Sequence, residues 1–388
     1  MNKVVWGILI ISTLLISCKS EEIISKPYIK LKESSAAQLN YYLPKNAYHV
    51  QIKVIRKQEF KGPFSDYADD YLGLSNPVIR LDKTTYSLAE VDLNMLTYTD
   101  GGEQYFIHID GSKNVPIQLT QLSTLAGINS NINTDITIPE MNNKVPDKPH
   151  FAFTDISVHP IVDITEEVSY EYKKIDSSLV RVPVRKESTV IKSFQELAWS
   201  AAKFISTLRE NRFRLLAGIL ETEKVPEKIG ERVKELNALE KNYLELFIGH
   251  TIYDTLVYNY VYEPEKQNFE NASQILCYFT ENEGIKPSRG DDNPNLLYGT
   301  PISIKLTPAI LPDVQKREEM EKIEPLGIIY RIPAQANAKI QLNGETLLSK
   351  IIPVAQWGSY AYLPQELLYE NKTIEFDINT GGLLKISQ

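Results

Sequence analysis

The sequence predicts an α+β protein, mainly antiparallel β-sandwich-like domains with a long helical hairpin between them. Three observations carry that expectation. Residues 48–54 alternate apolar and polar with a period of two. Residues 194–247 carry apolar stripes spaced by three and four. Short apolar runs separated by Pro and Gly then resume from 251, which favours antiparallel layers over βαβ units. The expected organisation is a signal peptide at 1–17, a lipidated cysteine and tether at 18–38, and an N-terminal β-rich domain at 39–189. The helical hairpin follows at 190–249, and a C-terminal β-rich domain occupies 250–388.

At the N-terminus, Lys3 precedes the apolar run Val4-Val5-Trp6-Gly7-Ile8-Leu9-Ile10-Ile11, and Leu14-Leu15-Ile16 closes it. That run is shorter than the ~20 apolar residues of a spanning helix and has the form of a secretory signal. It ends in Leu15-Ile16-Ser17-Cys18, which resembles the bacterial lipobox: a small residue precedes a thiol that can take diacylglycerol. Cys18 is therefore the expected lipidation site and membrane anchor; the competing reading is an ordinary signal peptide with an incidental cysteine. Lys19-Ser20-Glu21-Glu22 follows. Acidic residues there resemble surface-export signals of Bacteroidota lipoproteins, so the expected location is the outer membrane, facing outward, with the periplasmic face as the alternative.

In the body, Tyr48, Val50, Ile52 and Val54 alternate with His49, Gln51 and Lys53, placing one apolar face on a strand. Phe60-Lys61-Gly62-Pro63-Phe64 turns the chain. A short helix is expected over 66–74, with Tyr67, Tyr71 and Leu74 on one side and either Gly73 or the later Asn76-Pro77 able to end it. Strands are expected at 84–93 and 104–109, separated by Asp100-Gly101-Gly102, and residues 128–150 read as a long exposed loop. The first helical stripe is Phe194, Leu197, Ala201, Phe204 or Ile205, and Leu208; the second runs from Ile229 through Val233, Leu236, Leu239 and Tyr243 to Leu246 and Phe247. Glu223-Lys224-Val225-Pro226 lies between them and Gly249 sits where a C-cap glycine belongs. Further strands fit 251–262, 302–306, 327–332, 338–342, 347–354 and 373–378, with Asn343-Gly344 as a two-residue hairpin turn. Alternation places Tyr330 and Ile332 toward the core and Arg331 outward, so Ile332→Ala is expected to cost ~1.5–4 kcal/mol if fully buried.

Charge and motifs exclude several function classes. Lys plus Arg is 42 against 50 for Asp plus Glu, a formal net charge of -8; removing residues 1–17 takes away Lys3 and no acid, leaving -9. No basic footprint for nucleic acid is present. With Cys18 acylated, Cys277 has no disulfide partner and reads as a buried small hydrophobe within Ile275-Leu276-Cys277-Tyr278-Phe279. His49, His108, His150, His159 and His250 do not fall at metal-ligand spacing, and Asp291-Asp292 beside Gly290 reads as a polar turn. No nucleophile elbow, Walker loop or dinucleotide fingerprint occurs. The expectation is no catalytic residue, no metal and no cofactor. Tyrosine is abundant, 22 in all, and Tyr42-Leu43-Pro44 repeats as Tyr362-Leu363-Pro364. Such rings serve either as half-buried core or as platforms for sugar and protein partners.

Islands along the whole body carry a resemblance. They include Tyr42-Leu43-Pro44-Lys45, Lys61-Gly62-Pro63-Phe64 and Tyr67-Ala68-Asp69-Asp70-Tyr71-Leu72-Gly73. They continue with Ala201-Ala202-Lys203-Phe204-Ile205, Leu215-Leu216-Ala217-Gly218, Tyr330-Arg331-Ile332-Pro333-Ala334 and Pro353-Val354-Ala355-Gln356-Trp357-Gly358. Together they resemble a Bacteroidota lipoprotein family, the domain-of-unknown-function family 4831. The resemblance implies lineage, export and domain extent; it brings no activity, substrate or catalytic residue. Where that family often shows Gly-Lys-Thr after the second helix, this chain has Gly249-His250-Thr251, so a phosphate-binding lysine there is not expected. The leading expectation is a non-enzymatic lipoprotein that binds another envelope protein or forms part of a surface complex. A glycan-binding module of an uptake system and an enzyme acting on envelope polymers are the alternatives.

Overall fold

The structure is a computed structural model. It describes residues 23–27, 38–109, 115–156, 161–175, 178–219, 229–266, 273–287, 299–310, 327–370 and 372–387. The fold is α+β, with sheets that are mostly antiparallel.

Among the described residues, fifteen strands and four α-helices appear in chain order. They begin with β1 (Ile23–Pro27) and β2 (Gln38–Phe60), then a 3-10 turn (Ser65–Tyr67), α1 (Ala68–Leu72) and β3 (Lys83–Ile109). Next come β4 (Ile117–Leu119), β5 (Leu125–Ile128), β6 (Val162–Ile175), β7 (Ser178–Ile191), α2 (Phe194–Leu216) and α3 (Ile229–Ile248). The chain continues through β8 (His250–Tyr262), β9 (Ser273–Thr280), β10 (Gly284–Pro287), β11 (Thr300–Pro308) and β12 (Gly327–Leu342). It closes with β13 (Glu345–Pro364), α4 (Gln365–Tyr369), β14 (Thr373–Phe376) and β15 (Leu383–Ser387).

One sheet has the order β10-β9-β11-β12-β1-β3-β2-β8, with β13 also on β12; among its described strands only the β1–β12 pairing is parallel. A second sheet is β15-β14-β5-β4, and β6-β7 stand as a third. Strands of the large sheet share a core to which β2 contributes Tyr48 and Ile52, β8 Leu256, β11 Ile304, β12 Ile340 and β13 Trp357. A second core joins Tyr41 and Leu43 of β2 to Ile328, Leu363 and Phe376. Residues from both β-rich stretches therefore fill the same two cores.

Several expectations hold. Asn343 and Gly344 have φ of +48° and +86° and make the tight turn between β12 and β13, which positive φ at both positions requires. Gly73 and Gly249 end α1 and α3 with positive φ, and the Gly249 N–H bonds Glu245 O at 2.9 Å. A Cβ on Gly249 would lie 2.4 Å from Phe60 O, so the close approach of β2 also requires glycine there. Cys277 is fully buried, and burial pushes its thiol up to about 12.

Others are corrected. Asp100-Gly101-Gly102 does not separate two strands. β3 runs through it, and residues 100–103 form a bulge, because Tyr42 pairs with Gln104 while Pro44 pairs with Thr99. Within the expected tether, residues 23–27 pair as β1 between β3 and β12. Tyr330 is half-buried and packs on Phe376 of the second core, as expected, but the facing of the next two residues is reversed: Arg331 is fully buried and Ile332 is 48% exposed. The reason is a break in ladder register beside Pro333. Ile332 pairs with Ser359 but Ala334 with Val354, and residues 355–358 of β13 loop inward.

α2 and α3, of 23 and 20 residues, touch through Phe204 and Tyr243, whose ring centroids are 4.7 Å apart. The turn expected at 223–226 lies outside the described residues. Ser193 caps α2 in a capping box with Glu196, which fixes where the helix starts. Ala201, Ala202, Ile205, Tyr243, Leu246 and Phe247 bury a third core with Phe64 and Ala68. Leu239 of the second stripe is exposed.

Candidate functional site

Three places gather functional groups. The first is the bulge of β3, which turns Asp100 and Glu103 inward. Asp100 accepts a bond from the Arg331 guanidinium at 2.5 Å, and Arg331 also donates to Ala355 O at 3.0 Å. Glu103 accepts from Tyr360 at 2.6 Å, from Tyr105 at 2.8 Å and from Lys266. Burial alone would raise the Glu103 carboxyl, but these bonds and the Lys266 charge outweigh it and hold the group below its ordinary value of 4.5. Burial and the adjacent carboxylate push the Tyr105 hydroxyl well above its ordinary range. Beside this cluster, Asn46 and Gln356 exchange bonds of 2.7 to 2.9 Å that tie β2 to β13, and Trp357 Nε1 donates to Glu265 O at 2.8 Å. Both Glu103 oxygens are engaged and ionised. The arrangement suits a structural lock that specifies one packing of the sheet.

The second place is the end of α3. His250 Nδ1 lies 3.0 Å from Glu245 Oε1, and the Phe151 ring stacks on the imidazole at 3.9 Å and 3°. The groove there is about 500 Å³ and is lined in part by Glu240, Lys241, Glu245, His250 and Thr251. Arg209 and Arg212 bind Glu240. Burial pushes the Glu240 carboxyl up, yet the two guanidinium bonds bring it below its usual value. The His250–Glu245 pair is the kind of contact general-base chemistry employs. Here it also fastens the loop bearing Phe151 to the helix end.

The third is the β6–β7 ribbon. Its strands pair in unbroken register from Val162↔Ile191 to Ile175↔Ser178. Among the described residues, neither strand packs substantially on any other element. Ile164, Tyr172 and Leu179 are 69%, 69% and 73% exposed. Arg181 lies 3.7 Å over the Tyr170 ring. The sequence reading left this ribbon unassigned. Its signal was the period of two in Val162, Ile164, Val168, Tyr170 and Tyr172.

The remaining expected residues fall as follows. Cys18, the residues after it, His159 and Asp291-Asp292 lie outside the described residues. His49 is buried with Nε2 2.8 Å from Asn259 Oδ1. No three His, Cys, Asp or Glu side chains are grouped to hold a metal among the described residues. Tyr41, Tyr48, Tyr105, Tyr243, Tyr262 and Tyr360 are core. The Tyr67 and Tyr71 rings stack on each other at 5.6 Å. Tyr42 and Tyr362 are both half-buried, and the leucine that follows each one is buried in the same second core. Among the described residues, no helix is long and apolar enough to cross a membrane.

No curated protein and no solved structure matches the chain. The family model for a domain of unknown function, DUF4831, matches residues 38–384, nearly the whole of it. The chain therefore belongs to the DUF4831 family.

Proposed function

We propose that this chain is a non-enzymatic outer-membrane lipoprotein, anchored through acylated Cys18 and facing outward, that binds another protein of a cell-envelope complex. The observation that carries the reading is the β6–β7 ribbon. A lone two-stranded ribbon is marginally stable in water at best, yet this one extends for 14 residues in each strand with large apolar side chains exposed. Covering by a protein partner would stabilise it and bury those side chains. In the same reading, α2 and α3 form one helical hairpin, and the large sheet closes as a sandwich, giving the ribbon a rigid base.

A glycan platform has less support. The Tyr170 face is occupied by Arg181, and Tyr67 and Tyr71 cover each other. An acid–base role also has less support, because Glu103 is held ionised by three internal donors.

The test is extraction from membranes in mild detergent after cross-linking in cells. Co-purification of another polypeptide, lost when the ribbon is shortened, is expected; a solitary, uncross-linked protein would overturn the reading. For the anchor, Cys18→Ser should move the protein from the detergent to the aqueous phase and abolish palmitate labelling. A wild-type protein whose mass lacks acyl groups would refute the anchor.

A further inference from the structure

The two edges of the ribbon differ. Lys192 N–H bonds Ile161 O at 2.8 Å, one pair beyond Val162↔Ile191. That fixes the phase of the antiparallel ladder: odd-numbered β6 residues bond β7, and even-numbered ones turn N–H and C=O outward. Pro183 stands opposite Tyr170 at one of the outward positions of β7, where it supplies no donor. The outer edge of β7 is thus interrupted at its centre. The outer edge of β6 keeps a donor at every even-numbered residue from Val162 to Lys174. Among the described residues, no strand pairs with either edge. An open, regular edge of this length is a template for another strand.

Charge selects the strand that fits. Glu166-Glu167 and Lys173-Lys174 lie symmetrically about Tyr170, and all four are exposed. A second β6, antiparallel and centred on Tyr170, sets Glu166 opposite Lys174 and Glu167 opposite Lys173, with Val168 opposite Tyr172. Even-numbered residues then meet even-numbered ones, as the ladder phase requires. The two nearest slips that keep that phase place Glu167 against Glu171, or Glu171 against itself. Like charges directly opposite disfavour both. The larger slips retain fewer opposite-charge pairings: centred on Val168, only Asp163 meets Lys173, and centred on Tyr172, only Glu171 meets Lys173 while the two strands overlap over residues 169–175 alone. Exposed ion pairs add little affinity each, but here they discriminate between registers.

We propose that β6 is the docking edge for a second copy of this chain, forming a four-stranded antiparallel sheet about a two-fold axis at Tyr170. The inference rests on reading the ribbon as a protein-binding surface; it assigns the β6 edge to a second copy and leaves the exposed apolar faces to the envelope partner.

The test uses the full chain in mild detergent. Tyr170→Cys should give a disulfide dimer on mild oxidation, because residues paired at the axis have Cα atoms about 5.5 Å apart. Val168→Cys should not, since its two copies lie on the order of 14 Å apart. The double variant Glu166→Lys/Glu167→Lys, and separately Lys173→Glu/Lys174→Glu, should each weaken self-association by about tenfold or more. Mixed in equal amounts, the two variants should pair with each other, a recovery that misfolding cannot imitate. A monomer that never cross-links at Tyr170 overturns the inference, and cross-linking at Val168 instead overturns the register. A photoreactive residue at 170 that captures a different polypeptide in cells ends the second-copy inference while leaving protein binding intact. Capture of nothing ends both.

Discussion

Arg331 is enclosed with its guanidinium spread between the Ala355 carbonyl and the Asp100 carboxylate. Arg331→Met strands an acid whose side chain is only 16% exposed, so the loss should be about 3–5 kcal/mol. The neighbouring Ile332→Ala should cost about 1 kcal/mol or less, because that side chain is half in water. Urea unfolding of the two variants separates them, and equal losses would contradict the burial of Arg331. Alternation misjudged this pair for an identifiable reason. It assumes an unbroken ladder, and the register changes at Pro333. Nothing local announces that Asp100, far away in sequence, will arrive as the partner. The same bulge governs acid sensitivity through Glu103. Its folded pKa lies below the ordinary 4.5, so its contribution is complete above that value and is lost as pH falls through the folded pKa. Wild-type stability should therefore drop more steeply than that of Glu103→Gln as the pH is lowered from neutrality. The two stability curves should draw together in strong acid. Parallel curves would show that Glu103 does not carry the effect. Glycines divide on similar grounds: Gly249→Ala meets both positive φ and the Phe60 carbonyl, whereas Gly73→Ala meets positive φ in open space. The Gly73 change should cost about 1 kcal/mol, and the Gly249 change clearly more, in the same unfolding assay.

Among elements, the ribbon is separable because it shares no core with the rest. Replacing residues 164–189 by a two-residue Asn-Gly turn should leave the urea midpoint and the cooperativity of the body unchanged. A broadened or shifted transition would show that the ribbon packs on the body after all. Pro183→Val returns a donor to the outer edge of β7 and should drive higher-order association, seen as a rise in light scattering above that of wild type. An unchanged mass distribution would mean that the proline does not guard that edge. Elements with a strong local period were legible beforehand: β2 from Tyr48 to Val54, the Ala201–Leu208 stripe of α2, and the Asn343-Gly344 turn. β3 was divided because Asp100-Gly101-Gly102 has turn chemistry, and in this fold that chemistry makes a bulge. The ribbon escaped notice because Asp176-Ser177 is a weak turn signal and charged residues interrupt its apolar face.

At the level of the molecule, the two β-rich stretches depend on each other. Val50 and Ile52 of β2 share a core with Ile304, Ile340 and Trp357, so a chain confined to 39–189 lacks most of the core that β2 needs. Expressed alone, that fragment should show no cooperative unfolding, whereas addition of 250–388 should not rescue it unless the connecting helices are also present. A sharp transition in the isolated fragment would show that it folds independently. Such long-range pairing was beyond a reading of periodicity, which reports one element at a time. The placement of β1 has a mechanical corollary. Residues 23–27 lie between β3 and β12, in register from Ile23↔Ile109 to Pro27↔Tyr105. On the proposed attachment at Cys18, the leash to Ile23 reaches at most about 18 Å, so the body rides close against the bilayer. Traction on the lipid then pulls β1 along its own length. That loads its rungs together in shear and draws the tension into the middle of the largest sheet, where no single bond can be peeled away first.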